Sequence, residues 1–208
     1  TFHFPPGESL VEAALAAQLN TSKTPVRDAL TQLVREGFIE KIPFKGYYVT
    51  QISRQKMIEL FDIRSVLEGL VTRHAVEKMN AEQKAQVEAL VEAHTQAAAQ
   101  KDNALASQIN RQFHELLIKT GGSERIITML TNLDEHLQRY RVLSNISAGR
   151  LEKSALEHAE IMEAIRGGDA AAAEAAARKH LLSVSADLAM QDFDPLIREV
   201  NSSNISER

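Results

Sequence analysis

Long runs rich in Ala, Leu, Glu and Gln fill most of this chain beyond residue 53, and short breaks containing Gly, Asn or Asp separate them. Good helix formers, interrupted only by residues that begin or end helices, predict a succession of helices. We expect six of them, at residues 54–79, 81–100, 102–119, 123–145, 148–166 and 169–190. Connections this short make consecutive helices antiparallel, so the pattern predicts an antiparallel six-helix bundle.

The first 50 residues differ, because they hold four of the five prolines and a short aromatic, β-branched segment. Residues 5–20 begin with Pro and Gly and continue with apolar residues at helical spacing. A second helix follows, with Thr24 as its cap, Pro25 at its first helical position and Gly37 at its end. FIEKIPFKGYYVTQI alternates around Gly46 and predicts a two-stranded hairpin. Helix, short turn, helix and hairpin together are a winged helix-turn-helix, in a chain that is mainly α overall.

A length of 208 residues suits two small domains, and the change in composition places them at residues 1–52 and 53–208. The chain has no cysteine, which excludes a disulfide framework and thiolate chemistry. No apolar run approaches the ~20 residues of a membrane span, and no signal-peptide pattern opens the sequence. We therefore expect a cytoplasmic protein with no membrane partner.

The start of the second helix is the expected DNA-contacting segment, since a helix-turn-helix protein places that end against base edges. Arg27 has the fork geometry for guanine O6 and N7, while Lys23 and Thr24 suit phosphate or base contacts. Lys45 and Gly46, at the hairpin tip, suit a wing lying on the backbone or in the minor groove. Residues 1–50 carry five basic and five acidic side chains, so such binding would rest on a few local phosphate contacts.

Residues carrying these features form one continuous stretch, PPGESLVEAALAAQLNTSKTPVRDALTQLVREGFIEKIPFKGYYVTQI. This stretch resembles the DNA-binding domain of GntR-family transcription regulators. It departs from the family at Lys23, where Arg is usual, and Lys cannot make a bidentate contact. The family has one more helix before the Pro-Gly, so we expect that first helix to be missing from a sequence that begins TFHF.

The helical region, including FDIRSVLEGLVTRHAV, resembles the FCD effector domain of the FadR subfamily, and its six helices resemble the shorter VanR-like variant. Together the two resemblances cover about residues 5–190. They imply a homodimeric regulator, most often a repressor, that binds a two-fold double-stranded DNA operator and a small carboxylate effector. They also imply that the protein is not an enzyme.

Three histidines lie on or beside the apolar faces of their helices. His114 shares a helix edge with Asn110, four residues earlier, while His158 and His180 lie within the apolar stripes of the last two helices. His158 and His180 stand at similar levels on either side of their connecting turn. Three neutral imidazoles and one oxygen suit Zn²⁺, Ni²⁺ or another borderline divalent ion. Each histidine could instead be an ordinary core residue with satisfied hydrogen bonds.

The FCD resemblance selects among these histidines. Many FCD proteins hold a metal ion with Asp-x-x-x-His on one helix and two further His on the last two helices. Asn110, His114, His158 and His180 match this set, with Asn110 in the Asp place. An amide oxygen brings no charge, so we expect weaker metal affinity than Asp would give, or water as the fourth ligand. Zn²⁺ is the expected cofactor, with Ni²⁺ as the alternative.

Arginines could complete an effector pocket if they face inward, because a guanidinium pairs with a carboxylate through two hydrogen bonds. The candidates are Arg64, Arg139 and Arg141, and the alternative for Arg64 is an i,i+4 pair with Glu68. Two other functions remain open. One is a metalloenzyme using the histidine cluster, although no general base or nucleophile accompanies it at a recognisable spacing. The other is a bundle with a structural metal, or none, that dimerises the DNA-binding domain.

Overall fold

A computed structural model of the chain describes residues 4–144 and 149–190, without the side chains of residues 139 and 141–144. The described residues form eight helices and three short strands. They divide between Ser53 and Arg54 into two compact units, here called the head and the bundle. The predicted fold class, mainly α with a winged helix-turn-helix and a helical bundle, is confirmed. Among the described residues, no helix is long and apolar enough to cross a membrane.

The head contains two helices and a three-stranded antiparallel sheet. In chain order its elements are β1 (Ser9–Leu10), α1 (Glu12–Gln18), α2 (Lys23–Arg35), β2 (Ile39–Ile42) and β3 (Gly46–Val49). The strand order is β1-β3-β2, with Ile42 opposite Gly46 across the hairpin. The helices and sheet enclose a small core made of Leu10, Ala16, Val26, Leu30, Ile39 and Tyr47. The sheet thus holds the wing against the helix-turn-helix.

Two local features of the head differ from prediction. Leu10 belongs to β1 rather than to the first helix, because it pairs with Tyr47 of β3. The N-cap of α2 is Ser22 rather than Thr24, although the Ser22 side chain makes no capping hydrogen bond. Pro25 therefore lies at the third helical position, where the backbone N–H that proline lacks has no intrahelical partner in any case.

Gly37 ends α2 as predicted. Its φ of +80° lies in the left-handed region that glycine adopts without strain. The N–H of Gly37 donates to the Val34 carbonyl and that of Phe38 to the Leu33 carbonyl, which is a Schellman motif. This turn directs the chain into β2 and so places the wing beside α2.

The bundle consists of the six predicted helices, and every observed boundary lies within two residues of the prediction. They are α3 (Arg54–Lys78), α4 (Ala81–Ala99), α5 (Asn103–Gly121), α6 (Glu124–Ser144), α7 (Arg150–Gly167) and α8 (Ala170–Ala189). Side chains in the breaks explain this agreement. Asn80 forms a capping box with Gln83, while Asp102 and Asp169 accept hydrogen bonds from backbone N–H groups of α5 and α8.

Helix α3 is central to the bundle, since it packs against α5, α6 and α8, while α7 lies between α4 and α8. Apolar side chains of α3, α4, α5, α7 and α8 form one core. Gly121 allows the closest approach, because a Cβ there would lie only 1.9 Å from the Val71 carbonyl oxygen. This contact holds the end of α5 against α3, and the same pair of helices carries His114 and Glu68.

Candidate metal centre and DNA-contacting surface

Three histidines from three helices converge inside the bundle. One ring nitrogen from each of His114, His158 and His180 lies within 4.8 Å of the other two. All three residues are buried, which confirms the prediction that these imidazoles point inward. No other cluster of His, Cys, Asp or Glu with metal-binding spacing occurs in the part of the chain that the structure describes.

Carboxylates orient two of these rings. Nδ1 of His114 lies 2.8 Å from Oε2 of Glu68, and Nδ1 of His180 lies 2.8 Å from Oε2 of Glu157. An ionised carboxylate only accepts hydrogen bonds, so each Nδ1 carries a proton, and Nε2 is the nitrogen of each ring that a metal could use. Metal-ligating histidines in proteins are held in this way by a carboxylate or carbonyl behind the ring.

One pair of nitrogens has the spacing of two ligands on a tetrahedral ion. Nε2 of His158 and Nε2 of His180 are 3.4 Å apart. Two ligands on a tetrahedral Zn²⁺, each about 2.0–2.1 Å from the ion, are about 3.3 Å from one another. The donor set therefore fits a divalent metal.

The protonation states suit metal binding at neutral pH. Burial, reinforced by the neighbouring imidazoles, lowers the pKa of His158 well below its ordinary value of 6.5. Burial also lowers the pKa of His180 to about 4, despite the opposing effect of Glu157. Both rings are neutral at pH 7, so a cation would not have to displace a proton from either of them.

Arg64 and Glu68 form the buried support behind His114. Burial disfavours the Glu68 carboxylate, but the charge of Arg64 and the hydrogen bonds from His114 and Arg64 outweigh it and lower the Glu68 pKa. Arg64 Nε donates to Glu68 Oε1 at 2.5 Å, and Nη1 donates to Asp134 Oδ1 at 2.6 Å. Arg64 is thus in the i,i+4 pair that was the alternative to its predicted effector contact, with a second carboxylate on its other side.

Glu157 and Arg150 form a matching support behind His180. Arg150 Nη2 donates to Glu157 Oε2, and Ser183 Oγ donates to Glu157 Oε1 at 2.6 Å. Arg150 also donates through Nη1 to Asp187 at 2.6 Å. Burial raises the pKa of Glu157, but the hydrogen bonds from His180, Ser183 and Arg150 outweigh it and lower that pKa to about 2. Two chains of hydrogen bonds, here called the Arg–Glu–His relays, therefore end at the same histidine cluster. They are Arg64–Glu68–His114 and Arg150–Glu157–His180.

The remaining predicted residues of this site are less defined. Asn110 is half-buried one turn before His114, and its Oδ1 accepts a hydrogen bond from Ser154 Oγ at 3.4 Å. Its role as the fourth ligand stays a prediction. The side chains of Arg139 and Arg141 lie outside the described residues, and their predicted effector contacts stay predictions too.

Sequence reasoning missed Glu68 as a support for His114, together with Glu157, Arg150 and His94. A usable signal was present for two of them, Glu68 and His94. Arg64 and Glu68 interrupt the buried stripe of Met57, Phe61 and Val71 at core spacing, and His94 interrupts that of Val87, Val91 and Ala98. His94 is 0% exposed, and burial lowers its pKa to about 4. A charged or imidazole side chain within a core stripe needs a specific partner.

In the head, the predicted base-reading residue is held by an acidic residue of α1. Arg27 donates through Nε and Nη2 to the Glu12 carboxylate, with the shortest distance 2.8 Å from Nη2 to Oε2. The Arg27 side chain is nevertheless 61% exposed. Glu12 occupies the edge of the guanidinium formed by Nε and Nη2. The N–H groups of Nη1 and the second N–H of Nη2 point away from Glu12.

The other predicted DNA-contacting residues lie at the same end of α2 and at the wing tip. Lys23 and Thr24 are exposed in the first turn of α2, and Lys45 is exposed beside Gly46. Gly46 has a φ of +107°, which explains why the hairpin turns at a glycine. Phe44, which the sequence reasoning missed, is fully exposed at the tip.

Comparison with known families adds an independent finding. Residues 59–183 match the family described as FCD domain, and residues 1–49 match the bacterial regulatory proteins of the gntR family. These two ranges span the bundle and the head respectively.

Among full-length relatives, the HTH-type transcriptional repressor RspR of Escherichia coli (strain K12) is 28% identical over 202 residues, covering 97% of this chain and 86% of that protein. The HTH-type transcriptional repressor GlaR of the same organism is 27% identical over 191 residues, covering 87% and 86%. A probable D-xylose utilization operon transcriptional repressor of Paenarthrobacter nicotinovorans is 28% identical, covering 85% and 77%. These relatives are transcription regulators rather than enzymes, so the prediction that this chain is not an enzyme is confirmed.

Solved structures share the fold. E. coli McbR/YncC superposes with a TM-score of 0.67 at 23% identity, covering 89% of this chain and 88% of that one. A putative transcriptional regulator GntR from Rhodococcus sp. RHA1 superposes with a TM-score of 0.64 at 19% identity, covering 89% and 88%. At these identities the likeness extends to the fold alone.

Proposed function

Because this chain belongs to the FCD-domain members of the GntR family of bacterial regulatory proteins, we propose that it is a metal-containing, ligand-responsive transcriptional repressor. In this proposal a homodimer binds a two-fold DNA operator through its heads. Each bundle holds one divalent ion and a small carboxylate effector that changes operator affinity. The observation that carries the proposal is the buried convergence of His114, His158 and His180.

The donor set supports a borderline divalent ion, Zn²⁺ or Ni²⁺, because neutral imidazole nitrogens suit both. His114, His158 and His180 would hold it, with Asn110 or a water at a further position. When bound, the ion supplies a cationic coordination point for an anionic ligand. Nothing in the proposed ligand set cancels its charge, since three neutral imidazoles and an amide carry none.

The surrounding charges support a carboxylate as that ligand. Glu68 and Glu157 are each paired with an arginine, Arg64 and Arg150. The negative charges behind the histidines are therefore balanced and do not repel an anion. Arg64 Nη1 pairs with Asp134, whose side chain is 39% exposed. An incoming carboxylate could replace Asp134 on Arg64 by exchanging one charge-assisted hydrogen bond for another. Arg139 and Arg141 are proposed to assist from α6.

The metal and the effector are tested separately. Metal content of the purified protein, measured by mass spectrometry, should approach one ion per chain. His158→Ala should abolish it, while the control His74→Ala, a histidine of α3 outside the cluster, should retain it. Equal metal content in both variants would contradict the site.

For the effector, acetate, succinate and citrate are titrated by calorimetry into Zn²⁺-loaded and EDTA-treated protein. Binding to the loaded protein alone supports the metal as the anchor of the carboxylate. Equal binding in both forms would remove the metal from effector recognition. No binding in either form, with one metal ion per chain, would favour a purely structural metal.

The head is proposed to read DNA through the N-terminal end of α2. Glu12 fixes the edge of the Arg27 guanidinium and leaves its outer end free for guanine O6 and N7. Lys23, Thr24 and Lys45 would contact phosphates, and Gly46 would let the wing backbone approach the duplex. Selection from a random duplex library should yield a two-fold site, and light scattering should report a dimer.

In this proposal, effector binding and operator binding are linked by a coupling free energy. A coupling of about 1–3 kcal/mol would change operator affinity about fivefold to a hundredfold. Anisotropy of the selected duplex, titrated with and without the binding acid, measures this coupling directly. An operator affinity that does not respond to the acid would contradict the regulatory proposal while leaving DNA binding intact.

A further inference from the structure

His94 is the buried histidine to which neither the metal set nor the DNA surface assigns a role. It lies on α4, is 0% exposed, and neither of its ring nitrogens has a hydrogen-bond partner among the described residues. Its ring is next to that of His158, with centroids 5.0 Å apart and planes inclined by 36°. His158 is equally buried, and its own Nδ1 is also without a partner.

The other two imidazoles of the cluster show what His158 lacks. Nδ1 of His114 and Nδ1 of His180 each donate to a glutamate at 2.8 Å, which fixes the tautomer and directs Nε2 at the proposed metal position. For His158, the nitrogen that shares the site is Nε2, 3.4 Å from His180 Nε2. A metal on Nε2 would leave the His158 proton on Nδ1, which faces away from the metal and would need an acceptor of its own.

We propose that His94 is that acceptor, a positioning residue that takes the Nδ1 proton of His158 in a hydrogen bond and so aims Nε2 of His158 at the metal. The role deepens the proposed metal-binding function and rests on it. His94 would do for His158 what Glu68 does for His114 and Glu157 does for His180.

The neighbours of His158 leave His94 as the ring able to do this. Phe113 stacks on the His158 ring with centroids 4.1 Å apart and offers no acceptor. His114 and His180 stand edge-on to it, and their Nδ1 atoms are engaged by the glutamates. Two imidazoles joined by an N–H···N hydrogen bond of about 2.9 Å have centroids about 5 Å apart. The 5.0 Å separation of His94 and His158 is therefore short enough for this bond, which needs the rings to turn from their present orientation, since none of the three nitrogens concerned has a partner in it.

There is a physical reason for a histidine, rather than a glutamate, at position 94. Each glutamate of the site is accompanied by an arginine, which a buried carboxylate requires to offset the loss of hydration. A neutral imidazole accepts a proton without such a partner. His94 is also a ring of the same size class as Phe113, so it fills the space behind His158 while carrying a nitrogen there.

Three substitutions test the role. His94→Phe keeps a ring of similar shape and removes the acceptor, while His94→Asn and His94→Gln each place a carbonyl oxygen near one of the two original nitrogen positions. Zn²⁺ affinity is measured by competition with a chromophoric chelator, the visible spectrum of the Co²⁺-loaded protein reports ligand geometry, and the melting temperature is measured on EDTA-treated protein.

We expect His94→Phe to weaken Zn²⁺ binding about 10- to 100-fold and to change the Co²⁺ spectrum. We also expect the metal-free melting temperature of that variant to stay close to that of wild type, because neither nitrogen of His94 is hydrogen-bonded in the structure and the larger phenyl ring offsets the gain from removing them. At least one of the Asn and Gln variants should retain Zn²⁺ affinity within a few-fold of wild type. A residue that merely fills the core would instead shift stability and affinity in the same direction.

Two results would overturn the inference while leaving the metal centre intact. The first is Zn²⁺ affinity and a Co²⁺ spectrum unchanged in His94→Phe. The second is an equal loss in all three variants, which would show that an acceptor is not what His94 supplies. The His158→Ala variant should bind neither Zn²⁺ nor Co²⁺. If wild-type protein also binds neither ion, the proposed metal function fails, and the proposed role of His94 fails with it.

Discussion

The head and the bundle both place arginine–glutamate pairs at their candidate sites, but in opposite surroundings. In the head, Arg27 and Glu12 meet at the surface, with the Arg27 side chain 61% exposed. In the bundle, Arg64 and Glu68 are 7% and 5% exposed, and Glu68 carries His114 as well. An exposed pair adds little to stability, whereas a buried pair is costly to form and much costlier to break.

The contrast teaches what each pair can do. Water competes with Glu12 for the hydrogen bonds of Arg27, so a DNA base can compete for them too. Glu12 therefore orients the Arg27 guanidinium while leaving it available to DNA. The Arg64–Glu68–His114 relay is closed to water, so it holds an imidazole in one orientation. Four experiments, ordered from the largest expected effect to the smallest, would sharpen this comparison or break it.

Glu68→Ala should have the largest effect. It leaves the Arg64 charge buried with one partner fewer and removes the acceptor of His114, so the free energy of unfolding should fall by about 3–5 kcal/mol. Denaturant titration of EDTA-treated protein measures this. Glu77→Ala is the matched control, because Glu77 makes an i,i+4 pair with exposed Arg73 at 3.4 Å and should cost about 0.5 kcal/mol or less. Similar losses in the two variants would contradict the comparison.

Acid should destabilise the metal-free bundle in a defined pH range. Burial lowers the pKa of His180 from 6.5 to about 4, so the unfolded chain binds a proton that the folded chain does not. Stability is fully present above pH 6.5 and declines as pH falls from 6.5 towards 4, by about 3 kcal/mol for His180 alone. Unfolding curves of EDTA-treated protein across that range measure the slope.

Substitution of single histidines provides the control for that slope. His180→Gln should make the slope shallower but not abolish it, because burial also lowers the pKa of His94 and His158. His74→Gln, at a partly exposed position outside the cluster, should leave the slope unchanged. A wild-type stability that does not change between these pH values would show that the buried imidazoles ionise as freely as exposed ones.

Arg27→Ala should weaken binding to the selected operator roughly tenfold to a hundredfold and relax the base preference at one position in each half-site. Arg27→Lys should recover part of the affinity but little of the preference, because an ammonium cannot contact guanine O6 and N7 in a bidentate manner. Anisotropy titrations against a set of single-base operator variants measure both. An unchanged base preference in Arg27→Ala would assign base reading to another residue.

Glu12→Gln should have the smallest effect. It loosens the orientation of Arg27 and removes a negative charge near the DNA, so the preference for guanine should fall by only about twofold to fivefold. Affinity for non-specific duplex should rise slightly at low salt and converge with wild type at high salt. If Glu12→Gln instead abolishes specific binding, the exposed pair is as critical as the buried ones, and the contrast fails.

Much of the fold was predictable because its boundaries have local causes. Asn80, Asp102 and Asp169 cap helices through their own side chains, and Gly37 ends α2 through its backbone conformation. Strand β1 was not predictable, because Ser9 and Leu10 adopt it only by pairing with Tyr48 and Tyr47 of a distant strand. A two-residue strand has no periodicity of its own.

The candidate site was predictable in part. Helical periodicity placed His114, His158 and His180 on inward faces, and their levels along the helices made convergence possible. Periodicity does not say which neighbour each ring nitrogen meets, so Glu68 and Glu157 were not assigned as their partners. For Arg64, two partners were compatible with the sequence, and the structure shows the intrahelical one together with Asp134.

The sequence by itself determined the succession of helices, the turn between the two head helices, the glycine-ended wing and the inward faces of three histidines. Each follows from interactions within about one helical turn or one hairpin, where chain connectivity fixes the geometry. Only the tertiary structure decided which glutamate His114 and His180 each meet and that the ring of His94 lies against that of His158. These contacts join residues at least 23 positions apart on separate helices, so they depend on the rotation and height of one packed helix against another.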